Sequence, residues 1–294
     1  MIKLTVFTPT YNRAHLLPRL YKSLCEQTAM NFIWMIIDDG STDGTFELVR
    51  RWQQEKIVQT EYHFKNNGGM HTAHNLAYQL ISTDWNTCID SDDMMPNNAV
   101  ELINEAIELA TDESYYGIVG LDAGFDGVVL GEKFPEKLSK VRMTQLVKLY
   151  SVTGDKKLVC KSKIMKELPP YPEYPGEKLV PLSYKSLEAE KKYYLKPVNE
   201  ILCWVEYQPD GSTKNMLRNY RKNPKGFAFM RVARLNSGLN FIEKIKNCIL
   251  LVSSVFFSGD FKTLLKTKET GWVIAAIPLG LLVNIYIRLK RQKP

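Results

Sequence analysis

Three short apolar runs in the first ninety-odd residues each close on a polar string: Leu4-Thr5-Val6-Phe7-Thr8-Pro9-Thr10-Tyr11-Asn12-Arg13, Phe32-Ile33-Trp34-Met35-Ile36-Ile37-Asp38-Asp39-Gly40-Ser41-Thr42-Asp43-Gly44-Thr45, and Thr87-Cys88-Ile89-Asp90-Ser91-Asp92-Asp93. A fourth string, Asn66-Asn67-Gly68-Gly69-Met70-His71-Thr72-Ala73-His74-Asn75, opens a helical pattern. Working outward, the spacing predicts strands at Leu4–Thr8, Phe32–Asp38, Val58–Phe64, Thr87–Asp90 and Gly117–Gly120. Helical patterns fill the gaps at Ala14–Glu26, Thr45–Lys56, Thr72–Leu80 and Asn97–Ala110. The first shows an apolar stripe, Leu16, Leu17, Leu20 and Leu24, with Arg19 and Lys22 off it. Strands alternating with helices of this length imply βαβ units, an α/β class and a mainly parallel sheet. Ligands of open α/β sheets bind beyond the C-terminal ends of the strands, where these polar strings fall.

Downstream the pattern loosens. A glycine-rich patch (Gly124, Gly127, Gly131) leads to a predicted helix at Met143–Tyr150, a proline cluster from Pro169 to Pro175, a helix at Glu177–Glu190 and a strand at Glu200–Tyr207. From Asn215 the chain reads as basic helix, then two apolar runs, Ile249–Phe257 and Gly271–Ile287. No repeat or low-complexity tract interrupts it.

The chain has 294 residues, 45% hydrophobic and 24% charged, which excludes disorder as the dominant state and suffices for a sizeable core without staples. Five scattered cysteines with no C-x-x-C pair fit neither a disulfide framework nor a zinc knuckle, and a reducing compartment is the expectation. The N-terminal run before Pro9 lacks the features of a secretory signal.

The net charge of +7 conceals an asymmetry: residues 1–213 carry −6 and residues 214–294 carry +13. The expected domains are therefore 1–213 and a basic helical tail, 214–294. Nucleic-acid-binding segments rarely hold 17 uncharged, mostly apolar residues in a row, as Gly271–Ile287 does, so a membrane surface rather than nucleic acid is the expected partner. That run ends in Arg288, Lys290, Arg291 and Lys293. As a helix it would reach about 26 Å, short of the ~30 Å hydrocarbon core. A strained span, a monotopic or re-entrant helix, and a helix packed on the domain all remain open, with a peripheral or monotopic attachment on the cytoplasmic face expected from the adjacent positive charge. Arg218, Arg221 and Lys222 could close over a diphosphate as a lid, or form a solvated or lipid-facing basic helix.

Asp90-Ser91-Asp92-Asp93 packs three carboxylates into four residues. A divalent cation, magnesium or manganese, would relieve their repulsion, with one or two carboxylates on the metal and phosphates completing its shell. A solvated acidic turn capping the next helix fits the tetrad alone equally well. In Asp38–Thr45 the acidic pair can accept from a base or ribose, or the string can be a turn with Asp43 as helix N-cap. Thr8 and Tyr11 could line a base, and the glycines before the third helix could receive a phosphate, although His71 and His74 taken singly read better as capping or exposed histidines.

Together, TPTYNR at 8–13, DDGSTDGT at 38–45, NGGMHTAHN at 67–75 and DSDD at 90–93 resemble the family 2 glycosyltransferases in content, order and spacing. Weaker similarity continues to about residue 230 through Thr153-Gly154-Asp155-Lys156 and Pro175-Gly176-Glu177-Lys178, and the latter string looks like a branch acting in bacterial surface-polysaccharide synthesis. The resemblance implies a GT-A nucleotide-sugar-binding domain and a metal-dependent, inverting transfer from a UDP-sugar to an acceptor hydroxyl; the charge and hydropathy split of the chain adds the expectation of a lipid-linked saccharide at the bacterial inner membrane as acceptor. The resemblance also implies that Asp39 meets the uracil or ribose, Thr8 and Tyr11 border the uridine, Asp90 approaches the ribose, and Asp92 holds Mn2+ or Mg2+. Pro9, Arg13, Asp38, Asn67, Gly68, His71, Asn75 and Ser91 complete the expected donor set.

Two departures stand out. Met70 replaces the family's usual lysine after the glycines, and Leu182 stands where many relatives place an acidic base. Glu177 is then the first candidate base and Asp155 the second, unless either is a helix cap or surface carboxylate. All four histidines precede residue 75, leaving no late-chain histidine ligand. The rivals are a sugar-phosphate nucleotidyltransferase, disfavoured by Pro9–Arg13 where a basic glycine-rich loop belongs, and a non-catalytic nucleotide-sugar binder.

Overall fold

The computed structural model describes residues 2–206 and 215–290. The chain divides into two compact units, Met1–Pro170 with Glu188–Gln208, and Tyr171–Leu187 with Pro209–Pro294. Residues 171–187 thus group with the C-terminal helices, upstream of the expected 213/214 boundary.

The first unit is built on seven strands: β1 (Leu4–Thr10), β2 (Phe32–Asp38), β3 (Thr60–Phe64), β4 (Trp85–Cys88), β5 (Tyr115–Ala123), β6 (Lys156–Lys161) and β7 (Tyr194–Trp204). They form one sheet in the order β3-β2-β1-β4-β6-β5-β7. β1 pairs parallel with β2 and β4, β2 with β3, and β5 with β7. β6 enters antiparallel between β4 and β5. That inserted strand was not foreseen, because Lys156-Lys157-Leu158-Val159-Cys160-Lys161 reads as a basic surface run. Its insertion leaves β4 and β5 parallel, so the ends of β1, β2, β4 and β5 that follow their apolar runs share one edge of the sheet.

The helices of this unit are α1 (Leu17–Cys25), α2 (Thr45–Glu55), α3 (Met70–Leu80), α4 (Ala99–Leu109), α5 (Met143–Tyr150) and α6 (Ser162–Glu167). α1 buries Leu17, Leu20 and Leu24 of the predicted stripe in a core shared with Leu4, Val6, Trp34 and Ile36, while Leu16 stands half-buried just before the helix. Tyr21 stacks on Trp52 with ring centroids 4.3 Å apart, and Trp34 completes the aromatic group at 5.5 Å from Trp52. Each fully buried Leu or Ile contributes about 2 kcal/mol by the area it removes from water.

Several boundaries move. The helix expected over Glu177–Glu190 is only α7 (Ser183–Ala189), and the last strand starts earlier and ends at Trp204 rather than at Tyr207, which lies outside the described residues. The third helix begins at Met70, two residues early, behind Gly69 at φ 95°.

The helical unit holds α8 (Met216–Lys222), α9 (Pro224–Leu235), α10 (Phe241–Ser258), α11 (Thr270–Ala275) and α12 (Ile277–Leu289). Asn240 caps α10 by accepting from the Glu243 amide at 2.9 Å. α9, α10 and α11 meet around Ala228, Leu235, Leu251, Val252, Val255 and Val273. The apolar run Gly271–Ile287 is not one helix: Ala276 separates α11 from α12, with Pro278 in the first turn of the second. No helix among the described residues is long and apolar enough to cross a membrane. Arg221 donates to the carbonyls of Ile287, Arg288 and Lys290, so it caps the C-terminus of α12 and is not the lid considered from sequence. Arg291 and Lys293 lie outside the described residues.

Candidate active site

All four polar strings are laced together at one edge of the sheet. After β1, Asn12 takes φ 53° and its amide donates to Ser41 Oγ at 2.9 Å, while its Oδ1 accepts from the Thr42 amide at 2.8 Å. Asp43 joins the same pair of loops, accepting from the Ala14 amide at 2.9 Å and from the Thr45 amide at 3.2 Å. Arg13 reaches the fourth string, donating from Nη1 to Asp92 Oδ2 at 2.8 Å.

Asp39 organises the third string. Its Oδ1 accepts from Lys65 Nζ at 2.7 Å and from the Gly68 amide at 2.9 Å. Its Oδ2 accepts from the Gly69 amide at 2.7 Å and from Asn67 Nδ2 at 3.2 Å. Four donors occupy a buried carboxylate, so Asp39 fixes the turn that opens α3. Gly40 is required beside it: φ is 86°, and a Cβ there would lie 2.8 Å from the Asn67 amide nitrogen. Lys65 was not singled out from sequence. It also donates to Thr72 Oγ1 at 2.7 Å, placing an ammonium in the turn that lacks the family lysine at Met70.

Asp38 is buried; it accepts from the Ser41 amide at 2.7 Å and from Tyr62 Oη at 2.6 Å. Thr8 is also buried, and its hydroxyl accepts from Trp34 Nε1 at 3.0 Å. Pro9 is buried beside it, whereas Tyr11 is exposed. His71 is buried and Asn75 half-buried, one turn apart on α3. Ser91 is buried inside the acidic turn.

The turn after β4 is electrostatically loaded. Burial, with the negative neighbours Asp90, Asp92 and Asp122, pushes the Asp93 carboxyl up to about 7 against the opposing pull of Lys157. Burial also raises Asp90, with Asp92 adding to it. Lys157 donates to the Cys88 carbonyl at 3.3 Å. Burial alone would lower its ammonium, but the neighbouring Cys203, Asp122, Asp93 and Asp90 hold it well above the ordinary lysine range. Asp122, from the end of β5, is buried and its Oδ1 has no hydrogen-bond partner. Lys157 and Asp122 carry no sequence signal, because strand pairing, not a motif, brings them to Asp93 of the acidic string.

Among the described residues no group of three or more His, Cys, Asp or Glu side chains could hold a metal ion. The donor set that does exist, Asp92 with Asp90 beside it, suits a hard cation drawing most of its oxygen ligands from a diphosphate and water. The two candidate bases differ in their local settings. Asp155 is exposed in the loop before β6, and its charge is felt at Asp122. Glu177 lies in the helical unit, where its two oxygens accept from the amides of Lys225 and Gly226 at 3.0 Å. It therefore caps the N-terminus of α9, which corrects its assignment as first-choice base.

Residues 5–148 match the family described as Glycosyl transferase family 2. Glycosyltransferase GlyG of Streptococcus pneumoniae is 26% identical over 135 residues, 45% of each chain. The chain spans less than half the length of the curated relatives it matches. S. aureus TarS 1-349, solved in complex with UDP-GlcNAc, superposes with a TM-score of 0.62 at 17% identity, covering 97% of this chain and 91% of that one. The mannosyltransferase PcManGT from Pyrobaculum calidifontis, in complex with GDP-Man and Mn2+, gives 0.59 at 16% identity, covering 97% and 87%. These likenesses carry the GT-A-like fold. The family match over residues 5–148, the curated glycosyltransferase relatives and the superposed structures together support a family 2 glycosyltransferase.

Proposed function

We propose that the chain transfers a sugar from a nucleotide diphosphate donor, UDP-linked, to a hydroxyl of a lipid-linked saccharide in bacterial cell-surface polysaccharide synthesis. One observation carries this reading: four loops from four parts of the chain are hydrogen-bonded to one another at one sheet edge, through Asn12–Thr42, Asp43–Ala14, Asp39–Lys65–Gly69 and Arg13–Asp92. A nucleotide, a diphosphate and a sugar need recognition groups spread over such a length, held in fixed register.

In this reading Tyr11 and the Asp38–Asp39 turn border the nucleoside, with Thr8 and Pro9 supporting the strand end from within. Gly68, Asn67, His71 and Asn75 flank the donor where α3 begins, and Arg13 and Lys65 supply positive charge to its phosphates. Asp92, with Asp90, would hold Mn2+ or Mg2+, which when bound neutralises charge on the leaving diphosphate. The acceptor oxygen attacks the anomeric carbon in line and the bond from that carbon to the phosphate oxygen breaks. Its electron pair leaves with the diphosphate, and the configuration inverts. The acceptor proton goes to Asp155, the remaining candidate base once Glu177 is taken up by the start of α9.

The lipid-linked acceptor rests on the charge split between an acidic body and a basic tail, which suits a catalytic domain at the cytoplasmic face of the inner membrane. The test is turnover of a UDP-sugar panel with Mn2+ against soluble and lipid-linked acceptors. Turnover of one donor that vanishes in Asp92→Ala supports the reading. Absence of UDP binding under every metal condition refutes it.

A further inference from the structure

We propose that the outer face of α12 is a docking surface for an anionic lipid bilayer, on which the helix lies in the interface plane. This rests on the membrane-side acceptor proposed above and supplies the surface that would meet the membrane.

A helix on the surface of a globular unit normally turns charged residues outward. α2 does so, exposing Glu47, Arg50, Arg51 and Glu55 around its buried Val49 and Trp52. α12 does not. Its inner face, Gly280, Asn284 and Ile287, is buried. Gly280 lets the two helices approach closely, since a Cβ there would meet Val252 of α10. Asn284 Nδ2 donates to the Ser253 carbonyl at 2.9 Å. The outer face is equally apolar: Leu279, Leu282, Ile285, Tyr286 and Leu289 are all exposed, Leu282 at 62% and Leu289 at 75%. At 3.6 residues per turn these positions cover roughly a third of the helix circumference without a charge among them. Trp272, half-exposed on the preceding helix α11, packs edge-on against the exposed Phe241 and adds apolar surface to the same unit.

Charge selects the occupant. Between residues 241 and 290 there are seven basic side chains and three acidic ones. One of those acids, Glu269, is paired with Lys244 at 2.8 Å. Arg288 and Lys290 end α12, and Lys262 and Lys266 sit exposed in the 3-10 turn between α10 and α11, beside exposed Phe261 and Leu265. An apolar face flanked by lysine and arginine matches a layer of acyl chains beneath anionic headgroups. Thirteen residues reach about 20 Å, too short for the ~30 Å hydrocarbon core but suited to lying in its boundary.

The full chain is sedimented with vesicles of equal parts phosphatidylglycerol and phosphatidylcholine, and with phosphatidylcholine alone, and UDP binding is measured on the same preparations. The expected result is binding to the anionic vesicles, at least ~10-fold weaker on the neutral ones because each surface lysine or arginine contributes. Leu282→Glu combined with Ile285→Glu should weaken vesicle binding by a further ~10-fold or more, since both side chains leave the lipid. Both positions are exposed, so UDP binding and the melting temperature should stay as in wild type. Brominated lipids should quench wild-type fluorescence more than that of Trp272→Phe. Wild type left in the supernatant with UDP binding intact overturns the docking surface and spares the transferase reading. So does a dimer that Leu282→Glu dissociates without any vesicle binding, which makes a second copy the occupant. Vesicle binding by a chain that fails to bind UDP supports the surface and refutes the donor instead.

Discussion

Two acidic turns stand at the same edge of the sheet and are treated in opposite ways. In the first, Asp39 is met by four protein donors and its charge is balanced by Lys65. In the second, Asp90, Asp92 and Asp93 share Arg13 and the distant reach of Lys157, and burial raises the Asp90 and Asp93 carboxyls. The first carboxylate builds a loop. The second cluster sets three carboxylates against two cations, so its negative charge is compensated only in part, the arrangement expected where a cation and a diphosphate arrive together.

The largest effect that would sharpen this contrast is on turnover. Asp92→Ala should reduce kcat by about 10³-fold, the scale of losing one main electrostatic stabiliser of the leaving group. Its melting temperature should barely change, because Asp92 makes only a partly exposed pair with Arg13. Asp39→Ala should behave in reverse. Two glycine amides and the Lys65 ammonium lose their acceptor, costing about 3 kcal/mol of stability in urea unfolding and disordering the start of α3. Should Asp39→Ala fold as well as wild type, the contrast between a structural and a chemical carboxylate collapses.

Asp155→Asn should lower kcat about 10²-fold with KM nearly unchanged, as for loss of a general base. A smaller effect follows from Asp93. Its carboxyl binds a proton more tightly folded than unfolded, so its contribution to stability is complete below about pH 4 and is lost as pH rises through about 7. Stability should therefore fall across that window, and Asp93→Asn should flatten the fall. Added Mn2+ with UDP should oppose it by binding the folded state alone.

Much of this was legible in the sequence because it was local. Leu16 to Leu24 announced α1, and the four strings marked the ends of β1, β2 and β4 and the start of α3. What the sequence hid was non-local. β6 carries three lysines in six residues and looks solvated, yet pairing with β4 and β5 drives Lys157 into the acidic cluster. Lys65 sits five residues before the missing family lysine, outside any motif spacing. Glu177 read as a base because its string resembled a family motif, but a helix that starts 47 residues later claims both its oxygens. The apolar run Gly271–Ile287 was plain, while its division into an inner and an outer face required α10 as a reference.

The most direct measurement is hydrolysis of a UDP-sugar panel by the full chain with Mn2+, with Mg2+ and with chelator, beside Asp92→Ala. Turnover of one donor that needs the metal and disappears in the variant is the expected result. Turnover that survives both the chelator and Asp92→Ala would contradict the role given to the acidic turn after β4.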